Sequence, residues 1–265
     1  MTLAAQTGWD ALGSPALVAV LAWSAVSGTV VAWLAHRYEP ATDDDGFEFA
    51  MLHDARCPMC DHVVTLAESA PVLSRRCRDC RSELGGSWPA AHVANLVGNL
   101  VMLLTFGATR WLLAFLWLVP VVVLAAVCDM RMLLIPRRVV HVGFAVGLAL
   151  IGVLSLTGSA AGAVVTALVG AAASCLFLFV MHLISPGGLG FGDVRFVSVL
   201  GLYLGWMNVR LPLYGLLLGS VIHLLYAVPQ RLAKGRDKGR FSPFGPGLAT
   251  GAVLAIALSP FLLHP

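Results

Sequence analysis

The sequence predicts an all-α, polytopic membrane protein with about eight transmembrane helices and a cytoplasmic four-cysteine, zinc-ribbon-like loop. Three observations carry that expectation. First, the 265 residues are 58% hydrophobic and only 12% charged, with a mean hydropathy of +0.85. Soluble domains carry about 25% charged residues, and a soluble core of this length has no room for so much apolar side chain. Second, the apolar residues fall into runs of about the length that crosses a bilayer as a helix. Third, the basic residues crowd onto alternate connections between those runs.

The runs are 14–35, 90–107, 111–128, 139–157, 160–184, 194–209, 211–229 and 246–263. Each must be helical, because lipid offers no partner to a backbone N–H or C=O. The runs at 90–107 and 194–209 are short for the task. Tight connections separate several of them: Gly107-Ala108-Thr109-Arg110, Thr157-Gly158-Ser159 and Asn208-Val209-Arg210. Residues 1–13 lack the basic region of a secretory signal peptide, so the first run is expected to stay as a helix.

Eight spans put 36–89, 129–138, 185–195 and 230–243 on one side of the membrane. That side holds every Lys and Arg except Arg110 and Arg210. Basic loops stay in the cytoplasm, so this side is expected to face it. The location is then the cytoplasmic (inner) membrane, with membrane lipid as a partner and no nucleic-acid partner expected.

Residues 36–89 form the one long polar stretch. Asp43-Asp44-Asp45-Gly46 reads as a solvated turn. Beyond it stand Cys57-Pro58-Met59-Cys60 and Cys77-Arg78-Asp79-Cys80. Paired CxxC motifs are spaced for a four-thiolate zinc site, each pair forming one knuckle. Two disulfides are the alternative, and a reducing cytoplasm disfavours them. Four sulfur ligands leave no position for water, so such a zinc would be structural and would fold a loop with few apolar residues of its own. Cys128 and Cys175 sit in apolar runs and read as small hydrophobes. The eight histidines show no HxxxH or HExxH pattern; His182 and His223, within apolar runs, are candidates for hydrogen bonds between helices.

Two carboxylates stand out. Asp193 follows Ser185-Pro186-Gly187-Gly188-Leu189-Gly190-Phe191-Gly192 and opens an apolar run. A membrane-edge carboxylate is costly and marks a functional site by default. The glycines, lacking Cβ, allow a tight turn and close approach of another chain. Asp129 precedes Met130-Arg131-Met132-Leu133-Leu134-Ile135-Pro136, and the alternation of spans places it on the same side. A carboxylate pair cleaves peptides when one member, ionised, activates water and the other, protonated, polarises the scissile carbonyl; two close carboxylates share the proton. Separate ion pairs, Asp129 with Arg131 or Arg137 and Asp193 with Arg195, are the competing reading, and spacing alone leaves both open.

The Gly190-Phe191-Gly192-Asp193 motif after Pro186-Gly187-Gly188 resembles the GxGD site of the bacterial prepilin peptidases, also called type IV leader peptidases, a membrane aspartyl protease family. Asp129, followed six and seven residues later by Ile135 and Pro136, resembles that family's first catalytic Asp. The CxxC pairs after the first helix are similar to those of its larger, bifunctional members. Leu200-Gly201-Leu202-Tyr203-Leu204-Gly205-Trp206 also looks familial. The resemblance implies Asp129 and Asp193 as catalytic residues and Gly190 and Gly192 as shapers of the active-site loop. It implies removal of the short basic leader of type IV prepilin or type II secretion pseudopilin precursors on the cytoplasmic side, without a metal in that step. It divides the chain into a first transmembrane helix (1–35), a zinc-binding loop of methyltransferase type (36–89) and a peptidase domain (90–265).

Bifunctional members also N-methylate the new amino terminus with S-adenosylmethionine. Ala32 stands where that family carries Asn, and His92 where it carries Glu. These departures count against methyl transfer, so S-adenosylmethionine is expected only if that activity is retained. Arg137 follows Pro136 where Asp or Asn is common, which bears on leader recognition. Two other classes remain: a transporter with the two Asp residues as a proton relay, which leaves the cysteine tetrad without a task, and a catalytically silent scaffold of a pilus or type II secretion system.

Overall fold

The computed structural model describes residues 15–42, 48–70, 76–84, 87–158, 162–184, 189–233 and 242–263. The acidic turn at 43–46, Arg75, Ser159, Pro186–Gly188 and the basic stretch from Lys234 to Arg240 lie outside these, as do residues 1–13.

The chain forms two compact units, 1–128 and 129–265. In the first, α1 (Pro15–Arg37) leads into an antiparallel pair, β1 (Tyr38–Thr42) and β2 (Glu48–Leu52), with Tyr38 opposite Leu52. A short 3-10 turn, Ala67–Ser69, follows the first CxxC, and α2 (Ser87–Phe106) returns to pack against α1. The helix α3 (Leu112–Met132) begins in this unit and ends in the second. The second unit continues with α4 (Arg137–Thr157), α5 (Gly162–Ile184), α6 (Phe191–Met207), α7 (Leu211–Ala233), α8 (Gly245–Ala257) and α9 (Ser259–Leu263).

Six of these helices are long and apolar enough to cross a membrane among the described residues: α1, α2, α3, α4, α5 and α7. The protein is therefore a multi-pass membrane protein. Two of the expected eight spans are shorter than the rest. The run at 194–209 becomes α6, of 17 residues. The run at 246–263 breaks after Ala257 into α8 and α9, where Ser259-Pro260 begins a new turn; proline lacks the N–H that would continue the first helix.

The second unit is built around α6, which packs against α4, α5, α7 and α8. Being covered on all sides, it is apolar all round, with Phe196, Leu202 and Tyr203 fully buried. The closest approach is to α5. A Cβ added at Gly201 would lie 2.5 Å from the Gly170 carbonyl oxygen, and one at Gly205 would lie 2.6 Å from that of Thr166. Gly201 and Gly205 are four residues apart, the small-xxx-small spacing that lets helix backbones touch in lipid. The Trp206 indole locks α6 to α4 by donating to Ser155 Oγ at 2.9 Å.

Polar side chains join helices in the first unit. Asn95 Nδ2 donates to the Ser24 carbonyl (3.1 Å) and to Ser27 Oγ (2.8 Å), and Asn99 Nδ2 donates to Ser24 Oγ (3.1 Å). Both serine hydroxyls donate to carbonyls of their own helix, at Val20 and Trp23, so the amides must be the donors between helices. In α3, Pro120 removes the N–H that would bond the Leu116 carbonyl. The Trp23 indole supplies a replacement at 2.9 Å.

Candidate active site and metal centre

Asp129 and Asp193 are both buried, at 4% and 7% exposure. Asp129 lies in the last turn of α3, which runs four residues past the sequence-derived boundary. The helix stops where Leu133 takes a left-handed φ of 56° and donates its N–H to the Asp129 carbonyl. Asp193 is the third residue of α6, with Gly190 as the cap and the Asp193 amide bonded to the Gly190 carbonyl at 3.1 Å.

The two carboxylates share one site and interact electrostatically. Each faces a helix N-terminus. The amide of Gly245, first residue of α8, donates to Asp129 Oδ2 at 2.7 Å. Asp193 occupies the first turn of its own helix. Helix N-termini carry unpaired N–H groups and a positive partial charge, so both ends favour negative charge. Asp193 Oδ1 is buried and has no hydrogen-bond partner among the described residues, which leaves one carboxylate oxygen to meet a reacting group. Separate ion pairs are not formed: neither carboxylate is in a salt bridge among the described residues, and the Arg195 guanidinium lies over the Phe191 ring, 4.5 Å from its centre.

The glycines named from sequence lie at this site. A Cβ at Gly190 would stand 3.2 Å from Asp193 Oδ2, and one at Gly192 would stand 3.3 Å from Ile135 Cβ. The Asp129-to-Pro136 segment and the GxGD turn thus pack against each other.

Sequence reading missed Gly245. Its signal is Ser242-Pro243-Phe244-Gly245-Pro246-Gly247, a break-forming run at the head of the last apolar segment. Phe244 meets the His223 ring edge-on at 4.8 Å, so α7 helps to hold this run. The expected interhelical role of His182 takes another form: its Nδ1 bonds the Leu189 carbonyl just ahead of the GxGD turn, at 2.7 Å.

In the first unit, Cys57, Cys60, Cys77 and Cys80 come together, their sulfurs all within 4.8 Å of one another. Each CxxC folds in the same way. The Cys57 amide bonds the His62 carbonyl and the Cys77 amide that of Ser82. Bridges Arg56–Val63 and Arg76–Glu83 flank the two turns, and the residue after each second cysteine, Asp61 or Arg81, takes a positive φ of 58° or 56°. His62 joins the knuckles, with Nδ1 3.0 Å from Asp79 and Nε2 3.3 Å from Glu68.

All four thiols are free, with Cys57–Cys80 and Cys60–Cys77 sulfurs 3.6 Å apart. A zinc–sulfur bond of about 2.3 Å gives a tetrahedral edge of about 3.8 Å, so the donor set fits a divalent metal of zinc's size. The Ser82 hydroxyl, 3.3 Å from the Cys57 sulfur, heads the contacts that hold that thiol down at about 6.

The positions compared for a methyl-transfer cofactor differ. Ala32 is fully buried, and its side chain carries no polar atom. His92 uses Nε2 on the Ser69 carbonyl at 2.9 Å.

Residues 113–228 match the type IV leader peptidase family. Three curated relatives are called prepilin leader peptidase/N-methyltransferase. The one from Bacillus subtilis (strain 168) is 31% identical over 206 residues, 75% of this chain and 79% of its own. The one from Aeromonas salmonicida (strain A449) is 28% identical over 229 residues, 82% of this chain and 75% of its own. The one from Burkholderia pseudomallei (strain 1026b) is 29% identical over 254 residues, 88% of this chain and 78% of its own. No solved structure matches. With likeness of this extent running through both units, the chain belongs to the type IV leader peptidase family.

Proposed function

We propose that the chain is a membrane aspartyl endopeptidase that removes the short basic leader of type IV prepilin or pseudopilin precursors, with Asp129 and Asp193 as the catalytic pair. The observation that carries this reading is the pair itself: two buried carboxylates in one site, each against a helix N-terminus. The Gly245 amide favours charge on Asp129, so Asp129 is the base and Asp193 holds the shared proton. Asp129 takes a proton from water as its oxygen attacks the scissile carbonyl, while Asp193 gives its proton to the carbonyl oxygen. The tetrahedral intermediate then collapses: the C–N bond breaks, the proton on Asp129 passes to the leaving amine, and a hydroxyl of the intermediate returns a proton to Asp193 as the new carboxyl group forms. Gly190 and Gly192 keep the turn before Asp193 bare, so a substrate backbone can reach it.

The site is read as facing the cytoplasm in the inner membrane, where the basic connections lie. The substrate's hydrophobic helix would lie in lipid with its leader junction at the depth of the pair. The peptidase domain is assigned to 90–265, after the first helix (1–35) and the loop at 36–89. Zinc is assigned to Cys57, Cys60, Cys77 and Cys80 as a structural ion. S-adenosylmethionine enters only if the chain retains the methyl transfer named for its relatives. Ala32 and His92 supply neither the amide nor the carboxylate expected for it, and methyl transfer forms no part of the proposed reaction.

The test is co-expression with a candidate prepilin, followed by the intact mass of the substrate's N-terminal peptide. Leader loss with the wild-type chain, and retention with Asp129→Asn or Asp193→Asn, is the expected result. Processing that survives both variants would end the aspartyl reading. Retention with all three chains, for a prepilin whose assembly nonetheless needs the chain, would favour the scaffold reading.

A further inference from the structure

The turn that presents Asp193 is held from outside by α5. His182, in the last turn of that helix, places Nδ1 2.7 Å from the Leu189 carbonyl oxygen. A carbonyl oxygen only accepts, so Nδ1 carries the proton and donates. On the far side of Gly190, Phe191 is held three times. The His182 ring lies tilted 5.8 Å from it, Phe179 meets it edge-on at 6.4 Å, and Arg195 covers its face at 4.5 Å. Gly190 lies between these fixed points with no side chain of its own, and its carbonyl bonds the Asp193 amide.

We infer that His182 is a positioning residue: it latches the Leu189–Asp193 turn to α5 and thereby sets the depth and direction of the Asp193 carboxylate. It acts through the Leu189 backbone, not on the reacting atoms. The inference rests on Asp193 being catalytic and deepens that reading. The latch matters because an error of about 1 Å in a reacting group costs on the order of 10²-fold in rate. A glycine-flanked turn, left to itself, has many conformations to choose from.

The experiment uses the purified full-length chain in lipid nanodiscs and a purified prepilin that the wild-type chain processes. It compares kcat and KM for wild type, His182→Leu, His182→Asn and Asp193→Asn. Leucine keeps apolar bulk and loses the donor, whereas the asparagine amide can place an N–H where Nδ1 stands. The expected result is a kcat lowered roughly 10- to 100-fold in His182→Leu with KM within about twofold, and recovery of most of that loss in His182→Asn. A wild-type kcat in His182→Leu, with Asp193→Asn silent, overturns the latch alone. Equal losses in the Leu and Asn variants also overturn it, because the ring and not its donor would then matter. An active Asp193→Asn chain overturns the parent reading and the latch with it.

Discussion

Gly245 donates its backbone N–H to Asp129 Oδ2 across 2.7 Å, and its missing side chain is what lets it come so near. A Cβ there would lie 2.8 Å from that same oxygen and 3.2 Å from Asp129 Cγ. The contact joins the end of one helix to the start of another, 116 residues later. It gives Asp129 a fixed partner in a site where lipid supplies none.

Gly245→Ala is therefore expected to push the Asp129 carboxylate aside while leaving the helices in place. Leader cleavage should fall on the order of 10²-fold in kcat, with circular dichroism unchanged. Rate measurements on purified chains check this, and a wild-type rate would show that the amide contact has no bearing on the chemistry.

Gly201→Leu tests the closest helix contact. The added side chain would meet the Gly170 carbonyl and Ser174 Oγ, at 2.5 Å and 2.6 Å from its Cβ. Backbone cannot yield as a side chain can, so the loss should reach about 1–3 kcal/mol or more. Thermal unfolding in detergent should show a clear drop in Tm. Ala at the same position should cost less.

Asn95→Leu removes two donor contacts from the α1–α2 seam while keeping its bulk. Interhelical hydrogen bonds in membranes average about 0.6 kcal/mol and reach about 1.7, so a loss near 1 kcal/mol is expected. Unfolding of the variant in mild detergent reads it. A Ser27→Ala change on top should add little, since Asn95 is the partner both changes disrupt.

Metal analysis of the purified chain should find one zinc per molecule, and none after Cys57→Ser combined with Cys77→Ser. The substituted loop should become sensitive to protease within residues 53–84, because few apolar residues hold it otherwise. Leader cleavage should fall by less than about tenfold, far less than the loss from removing an acid–base group.

What the sequence displayed was residue chemistry that apolar surroundings make rare. Asp129, Asp193 and the four cysteines stand out by type and spacing, and the structure brings each set together. The misses share a physical cause. Gly245 acts through a backbone amide, which every residue but proline possesses, so its identity advertises nothing. Asn95 and Asn99 sit inside an apolar run whose average hides them. The β1–β2 pair is five residues a side, too short for alternation to show. A helix end need not fall where apolar composition ends: Asp129 and Arg131 close the apolar run, yet α3 continues to Met132.

Pro120 and Trp23 share a single carbonyl between them. The proline strands the Leu116 oxygen and the indole claims it. Neither of the two can drift alone. Replacing the proline returns a backbone donor to that oxygen and leaves a half-buried indole with its own hydrogen unmatched; replacing the tryptophan leaves the oxygen without its donor. Across descendants of this sequence the two positions should therefore change in concert, a correlated substitution pattern linking two residues 97 apart that an alignment of close relatives would reveal.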